Sequence, residues 1–124
     1  MRLYTKDHTW VEADGKRARI GLSDFAQSEL GEIAYVDLPE PGRRVARGDV
    51  VCTVESLKSS SEVYAPVSGT VVEVNTTLRS EQNASLVNRD PLGEGWLVLM
   101  EIDDPEELTP LLVEEEYAAY TGGA

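Results

Sequence analysis

Val50-Val51-Cys52-Thr53-Val54-Glu55-Ser56-Leu57-Lys58-Ser59-Ser60-Ser61-Glu62-Val63-Tyr64 is built to fold back on itself. Its first five residues are apolar or β-branched, and Glu62-Val63-Tyr64 resumes the extended pattern. Two such runs around a short polar connection predict a β-hairpin. Lys58 then stands near the tip of a rigid two-stranded arm. Cys52 alternates with Val50 and Val54, so it is expected to be a buried strand residue acting as a small hydrophobe. A lysine at a hairpin tip is ordinarily just a solvated charge. Held out alone on a scaffold, it is also what a modifying enzyme needs in order to attach a prosthetic group.

Outward from the hairpin, the chain alternates short strands with turns. Trp10-Val11-Glu12-Ala13 and Arg17-Ala18-Arg19-Ile20 flank Asp14-Gly15, a strong hairpin turn signal. Ser23 can cap a short helix through Leu30, with Phe25, Ala26 and Leu30 near one face and Gly31 as its stop. Ile33 to Leu38 is expected to be a strand, ended by Pro39-Glu40-Pro41-Gly42, which no helix could cross. Val45-Ala46-Arg47-Gly48-Asp49 makes a second turn into the central hairpin, and Ala65-Pro66-Val67-Ser68-Gly69 turns the chain after it. Thr70 to Val74 and Trp96 to Ile102 are further strands, with a short helix expected around Ala84 to Val87. Asp104-Pro105-Glu106-Glu107 has the acceptor, proline and acid order of a helix start. Thr109-Pro110 can cap another helix carrying Leu111, Leu112, Val113 and Tyr117, giving a C-terminal helical segment over about 104–120 and a frayed Thr121-Gly122-Gly123-Ala124. Gly31-Glu32-Ile33-Ala34-Tyr35-Val36 echoes Gly69-Thr70-Val71-Val72-Glu73-Val74 in a Gly-x-apolar-x-x-Val pattern. Many short strands with turns between them predict a mostly β sandwich or barrel with peripheral helices.

The chain has 124 residues, enough for one domain with one core. Its 23 acidic and 11 basic residues leave a formal net charge of -12. That argues against nucleic acid, whose binding needs clustered Lys and Arg, and against an anionic membrane surface. It can steer encounters with basic docking sites. One cysteine cannot form an internal disulfide, which fits a reducing compartment. The N-terminus shows no apolar signal core, and no apolar run approaches membrane-spanning length. A cytoplasmic protein is the simplest expectation, or a mitochondrial matrix protein if this is a processed eukaryotic chain.

Catalytic constellations are missing. His8 is the one histidine, so a nucleophile–histidine arrangement would have to use it with Cys52 or a distant serine. The sequence carries no His/Cys cluster with zinc spacing and no phosphate-binding glycine loop. Asp103-Asp104 and Glu114-Glu115-Glu116 are expected to be solvated caps and helix surface. The chain is therefore expected to be no enzyme and to hold no metal.

Glu55-Ser56-Leu57-Lys58, followed by Tyr64-Ala65-Pro66-Val67-Ser68-Gly69, resembles the lipoyl-attachment region of the glycine cleavage system H proteins. Three further blocks resemble that family in order and spacing: Tyr4-Thr5-Lys6-Asp7-His8-Thr9-Trp10-Val11, Ile20-Gly21-Leu22-Ser23-Asp24-Phe25-Ala26-Gln27 and Asn88-Arg89-Asp90-Pro91-Leu92-Gly93-Glu94-Gly95-Trp96-Leu97. The resemblance implies a lipoyl/biotinyl-type barrel-sandwich hybrid with short peripheral helices and a C-terminal helix, one lipoyl-carrier domain over residues 1–124. It implies lipoate attached covalently to Lys58, with Glu55 and Gly69 as recognition determinants for the lipoylating enzymes and Leu57 helping to hold the turn. Biotin carriers usually flank the lysine with Met; Leu57 and Ser59 favour lipoate.

By the same resemblance the chain shuttles the aminomethyl group of glycine from the pyridoxal-phosphate glycine decarboxylase to the tetrahydrofolate-dependent aminomethyltransferase. Its dithiol then goes to dihydrolipoyl dehydrogenase. A monomer is expected, because a free carrier must visit several enzymes. The alternative is an H-like relay that donates lipoyl groups to other acceptors; a third reading is an unmodified acidic interaction module. Two departures from the family stand out. Thr9 replaces an acidic residue between His8 and Trp10, and Ser59-Ser60-Ser61 replace the small alanines that often follow the lysine.

Overall fold

The structure, a computed structural model, describes residues 2–122. Its strands are β1 (Arg2–Tyr4), β2 (Thr9–Asp14), β3 (Arg17–Leu22), β4 (Ile33–Asp37), β5 (Arg44–Val45), β6 (Val50–Ser56), β7 (Ser60–Tyr64), β8 (Gly69–Val74), β9 (Val98–Ile102) and β10 (Leu112–Val113). Three short helices join them: α1 (Asp24–Leu30), α2 (Leu86–Arg89) and α3 (Glu114–Tyr120). Single 3-10 turns occupy Thr76–Arg79 and Pro105–Leu108. The strands form a seven-stranded sheet in the order β10-β1-β2-β3-β9-β8-β5 and a three-stranded sheet in the order β4-β6-β7. The expected mostly β architecture is what forms.

Alternation along the strands explains the layering. Val36, Val54 and Val63 of the small sheet are buried in the same cluster as Val11, Ile20, Val71 and Met100 of the large one. Apolar side chains on one face of each sheet therefore close on a shared interior. Trp10 points the other way from Val11. It forms a second cluster with Tyr4 and Tyr117 on the opposite face of the large sheet, under α3. Its indole N–H donates to the Pro91 carbonyl at 2.9 Å. Gly21 lies directly opposite Trp10 in the β2–β3 register, and a Cβ there would sit 2.7 Å from the indole ring. Only glycine leaves room for the indole.

α1 starts and stops as its residues dictate. The Ser23 hydroxyl accepts from the Ala26 N–H, and Gly31, at φ +81°, donates its N–H to the Gln27 carbonyl. The short helix of the polar stretch begins two residues later than expected, at Leu86. The two halves of the Gly-x-apolar-x-x-Val echo become β4 and β8, one in each sheet.

The C-terminal segment differs from expectation. The expected C-terminal helix forms as Glu114–Tyr120 and a 3-10 turn as Pro105–Leu108, but the segment is not helical throughout 104–120: Leu112–Val113 is a strand paired to β1, with Leu3 opposite Val113 and Tyr4 opposite Leu112. Leu111 packs on the main core and Leu112 on the Trp10 cluster. Neighbouring residues thus face opposite sides, the period of a strand and not of a helix. Pairing also covers the exposed edge of β1, and that long-range gain outweighs local helix capping. Asp104 does cap its turn, accepting from the Glu106 N–H at 3.0 Å. Of the terminal residues expected to fray, Gly123 and Ala124 lie outside the described residues. Thr121 and Gly122 still donate to the carbonyls of Tyr117 and Ala119.

Candidate functional site

β6 and β7 form the predicted hairpin, with Glu55 opposite Ser60 and Val54 opposite Ser61. The Ser56 N–H donates to the Ser59 carbonyl at 2.8 Å, leaving Leu57 and Lys58 as a two-residue tip. Neither tip residue takes a positive φ, so this is not one of the mirror-image turns that usually close such hairpins. A side chain closes it instead. The Ser56 hydroxyl accepts from the Ser59 N–H at 3.1 Å and the Lys58 N–H at 3.3 Å, and donates to the Ser59 carbonyl at 3.1 Å. The Leu57 N–H crosses to the Glu32 carbonyl at 3.1 Å. All four N–H groups from Ser56 to Ser59 have partners, so the tip is ordered by its backbone.

Leu57 was expected to hold the turn. Its N–H does so, but its side chain is 74% exposed and holds nothing. Lys58 is exposed, and its ammonium makes no ion pair among the described residues. Its stem passes over Gly31: a Cβ on that glycine would lie 3.4 Å from Lys58 Cε.

The corner beneath the tip is tied by one side chain. Asn88 accepts from the Ile33 N–H at 2.8 Å and donates to the Gly31 carbonyl at 2.8 Å and to the Gln27 side chain at 2.9 Å. The end of α1, the start of β4 and α2 are thereby held together, and Glu32, which anchors Leu57, lies within that corner. Asn88, Ser56 and Gly31 carry no separate signal in the sequence as parts of the site. Gly31 reads as a helix stop, and Ser56 and Asn88 are each one residue of a longer block.

Glu55 is exposed on β6, three residues before Lys58, and faces Tyr35 of β4. Gly69 is buried at the start of β8, in the other sheet. A Cβ on Gly69 would run into the Glu101 carbonyl, so the close approach of β8 to β9 by itself requires glycine there. The hairpin brings Glu55 and Lys58 together and leaves Gly69 elsewhere.

Thr9 is wholly buried on β2, opposite Leu22, and its hydroxyl has no hydrogen-bond partner among the described residues. His8 does not approach Lys58 through any contact. Its Nδ1 meets the Tyr117 hydroxyl at 2.7 Å, and that hydroxyl meets Ser23 Oγ at 2.7 Å. Burial raises the Tyr117 phenol above its ordinary range. Burial also pushes the Cys52 thiol up to about 12, with the Asp37 carboxylate adding to the effect, so the thiol stays protonated and unreactive near neutrality. No group of three or more His, Cys, Asp or Glu among the described residues could hold a metal. No helix among them is long and apolar enough to cross a membrane.

Comparison with known proteins gives a consistent result. The family model described as glycine cleavage H-protein matches residues 2–123. The glycine cleavage system H protein of Thermotoga maritima is 50% identical over 120 residues, covering 97% of this chain and 95% of that one. The one from Thermus thermophilus is 47% identical over 116 residues, covering 94% and 89%. A crystal structure of a glycine cleavage system H protein from Mycobacterium marinum superposes with a TM-score of 0.86 at 36% identity, covering 98% of this chain and 96% of that one. The chain belongs to the glycine cleavage H-protein family.

Proposed function

We propose that Lys58 carries lipoate in amide linkage and that the chain is the lipoyl carrier of glycine cleavage. The observation that carries this reading is the tip itself: an exposed, uncommitted ammonium on a hairpin whose backbone is fully satisfied without it. Acylating Lys58 removes its charge and breaks no contact of the fold. The residues present fit the group. Ser56 and Glu32 hold the turn, Gly31 leaves the stem a smooth surface to pass over, and Asn88 fixes that surface. The lipoyl ring supplies a disulfide that no side chain provides, able to take up a one-carbon unit and two electrons.

In this reading the chain is a carrier and not a catalyst. It takes the aminomethyl group from the glycine decarboxylase to the aminomethyltransferase and its dithiol to dihydrolipoyl dehydrogenase. Residues 1–124 act as one carrier domain, supported by the single cluster that draws on both sheets. A monomer in the bacterial cytoplasm agrees with that role and with the bacterial relatives. Glu55 and Gly69 serve recognition by the lipoylating enzymes, Glu55 from the exposed strand and Gly69 through the sheet it permits.

Replacing Lys58 with Arg keeps the charge but offers no amine that can form the amide. Intact mass of the wild-type chain from lipoylating cells should show a lipoyl increment mapping to Lys58, and Lys58→Arg should show none. The modified chain should then support glycine–bicarbonate exchange with the decarboxylase. Modification without exchange would instead point to a lipoyl relay.

A further inference from the structure

Beyond Ser56, one backbone hydrogen bond fastens the hairpin tip to the rest of the molecule. Register places Ile33 opposite Ser56 and Tyr35 opposite Glu55, so the β4–β6 ladder slips by one residue and Ala34 has no partner on β6. An extra residue of this kind bends its strand and re-aims the groups beside it. With it, the Glu32 carbonyl reaches over the tip and accepts from the Leu57 N–H at 3.1 Å. The other bonds of the turn, from the Ser56, Lys58 and Ser59 N–H groups, stay within the hairpin. Glu32 therefore sets where the tip sits relative to the core.

Glu32 is in turn held by a side chain from elsewhere. β4 is an edge strand of the small sheet, and a slipped ladder at its end fixes little by itself. The Ile33 N–H donates to Asn88 Oδ1 at 2.8 Å, and Asn88 Nδ2 donates to the Gly31 carbonyl at 2.8 Å. The residues on both sides of Glu32 are thus bonded to one side chain, which Gln27 steadies at 2.9 Å. The Lys58 stem lies against the same Gly31. A Cβ there would stand 3.4 Å from Lys58 Cε and 3.9 Å from Nζ. Lys58 makes no ion pair among the described residues that could place its ammonium instead.

We propose that Asn88 is a positioning residue for the Lys58 amine, acting through Gly31, Ile33 and the Glu32 carbonyl. The inference rests on the Lys58 reading above. An amine on a four-carbon stem of rotatable bonds reaches attack geometry less often when the root of that stem moves. The acyl donor is adenylated lipoate. Deprotonated Lys58 Nζ attacks the acyl carbon, the amide C–N bond forms, and the C–O bond to AMP breaks. AMP leaves with the bonding pair, and the amine proton passes to the enzyme or to solvent.

The test is acylation of the full-length protein with lipoate, ATP and a purified lipoate-adenylating ligase, well below the melting temperature and read by intact mass. Asn88→Ala should lower kcat about fivefold and leave KM within about twofold, because the chain still docks and only the amine is misplaced. Gln27→Ala keeps both backbone ties and should lower kcat about twofold, which carries the test if Asn88→Ala does not fold. Tyr117→Phe serves as a control that loses Tm far from this corner, and its kcat should equal that of wild type. Exchange at the Leu57 amide should quicken in Asn88→Ala and not in Tyr117→Phe. Wild-type kcat in both corner variants, a loss confined to KM, or an equal kcat loss in Tyr117→Phe would each overturn the inference and leave the Lys58 reading standing. A wild-type chain that gains no lipoyl mass would overturn both.

Discussion

At the scale of single residues, two positions carry more than their types suggest. Asn88 uses its acceptor and both donors on the corner under Lys58. Asn88→Ala leaves the Ile33 N–H and the Gly31 carbonyl without that partner and should cost roughly 1–3 kcal/mol. Denaturant unfolding measures the loss, and hydrogen exchange at the Leu57 amide should quicken because Glu32 is no longer held. Gly69→Ala forces a methyl against the Glu101 carbonyl and should cost about 1–3 kcal/mol of stability, read as a lower Tm. An unchanged Tm would mean that β8 and β9 can part there at no cost. Lys58 was legible in the sequence because its neighbours on both sides have strand character. Asn88 was not, because its partners lie 55 to 61 residues away.

At the scale of elements, local signals succeeded where an element stands on its own residues. α1 begins at its serine cap and stops at its glycine, and the central hairpin folds around a polar connection. They failed where pairing partners are distant. β1, β5 and β10 have two or three residues each, too few for any periodicity, and exist because another strand is there to bond them. β10 took residues with helical capping logic into a strand. It leads directly into α3, where the Glu116 carboxylate accepts from the Val113 N–H at 3.0 Å. α3 is held by Tyr117, whose ring stacks on Tyr4 at 4.3 Å with an interplanar angle of 5°. Tyr117→Phe keeps that stack and loses the contacts to His8 and Ser23, for about 1–2 kcal/mol. Tyr117→Ala removes the ring from the Trp10 cluster and should cost more, about 3–5 kcal/mol. Equal losses in equilibrium unfolding would show that the hydroxyl, and not the stacked ring, holds the helix.

At the scale of the whole molecule, acid should weaken specific ties in an acidic protein. Arg44 of β5 grips Asp103, just past β9, through two hydrogen bonds of 2.8 and 2.6 Å. Hydrogen bonding from Arg44 holds the Asp103 carboxyl below its ordinary range. A depressed folded pKa means the contribution is present above the unfolded value, about 3.9, and is lost as pH falls through the folded one. The pair is exposed, so its effect is small and screened by salt. Thermal melts of wild type and Asp103→Asn should therefore differ slightly at neutral pH, converge as pH falls through the lowered Asp103 pKa, and converge at high salt as well.

Composition and pattern alone determined that the chain is mostly β, that it is acidic, and that Lys58 stands at a hairpin tip. Each of those depends on residues adjacent in sequence, where side-chain period and turn chemistry act directly. The tertiary structure decided which strands pair and that 112–113 is an edge strand. It also decided that Ser56, Glu32 and Asn88 order the tip, that Thr9 is buried, and that Leu57 faces solvent. The Ser56 contacts are local to the turn; the other outcomes depend on partners brought close only when the sheets assemble, and a linear pattern does not encode which distant carbonyl will meet a given N–H.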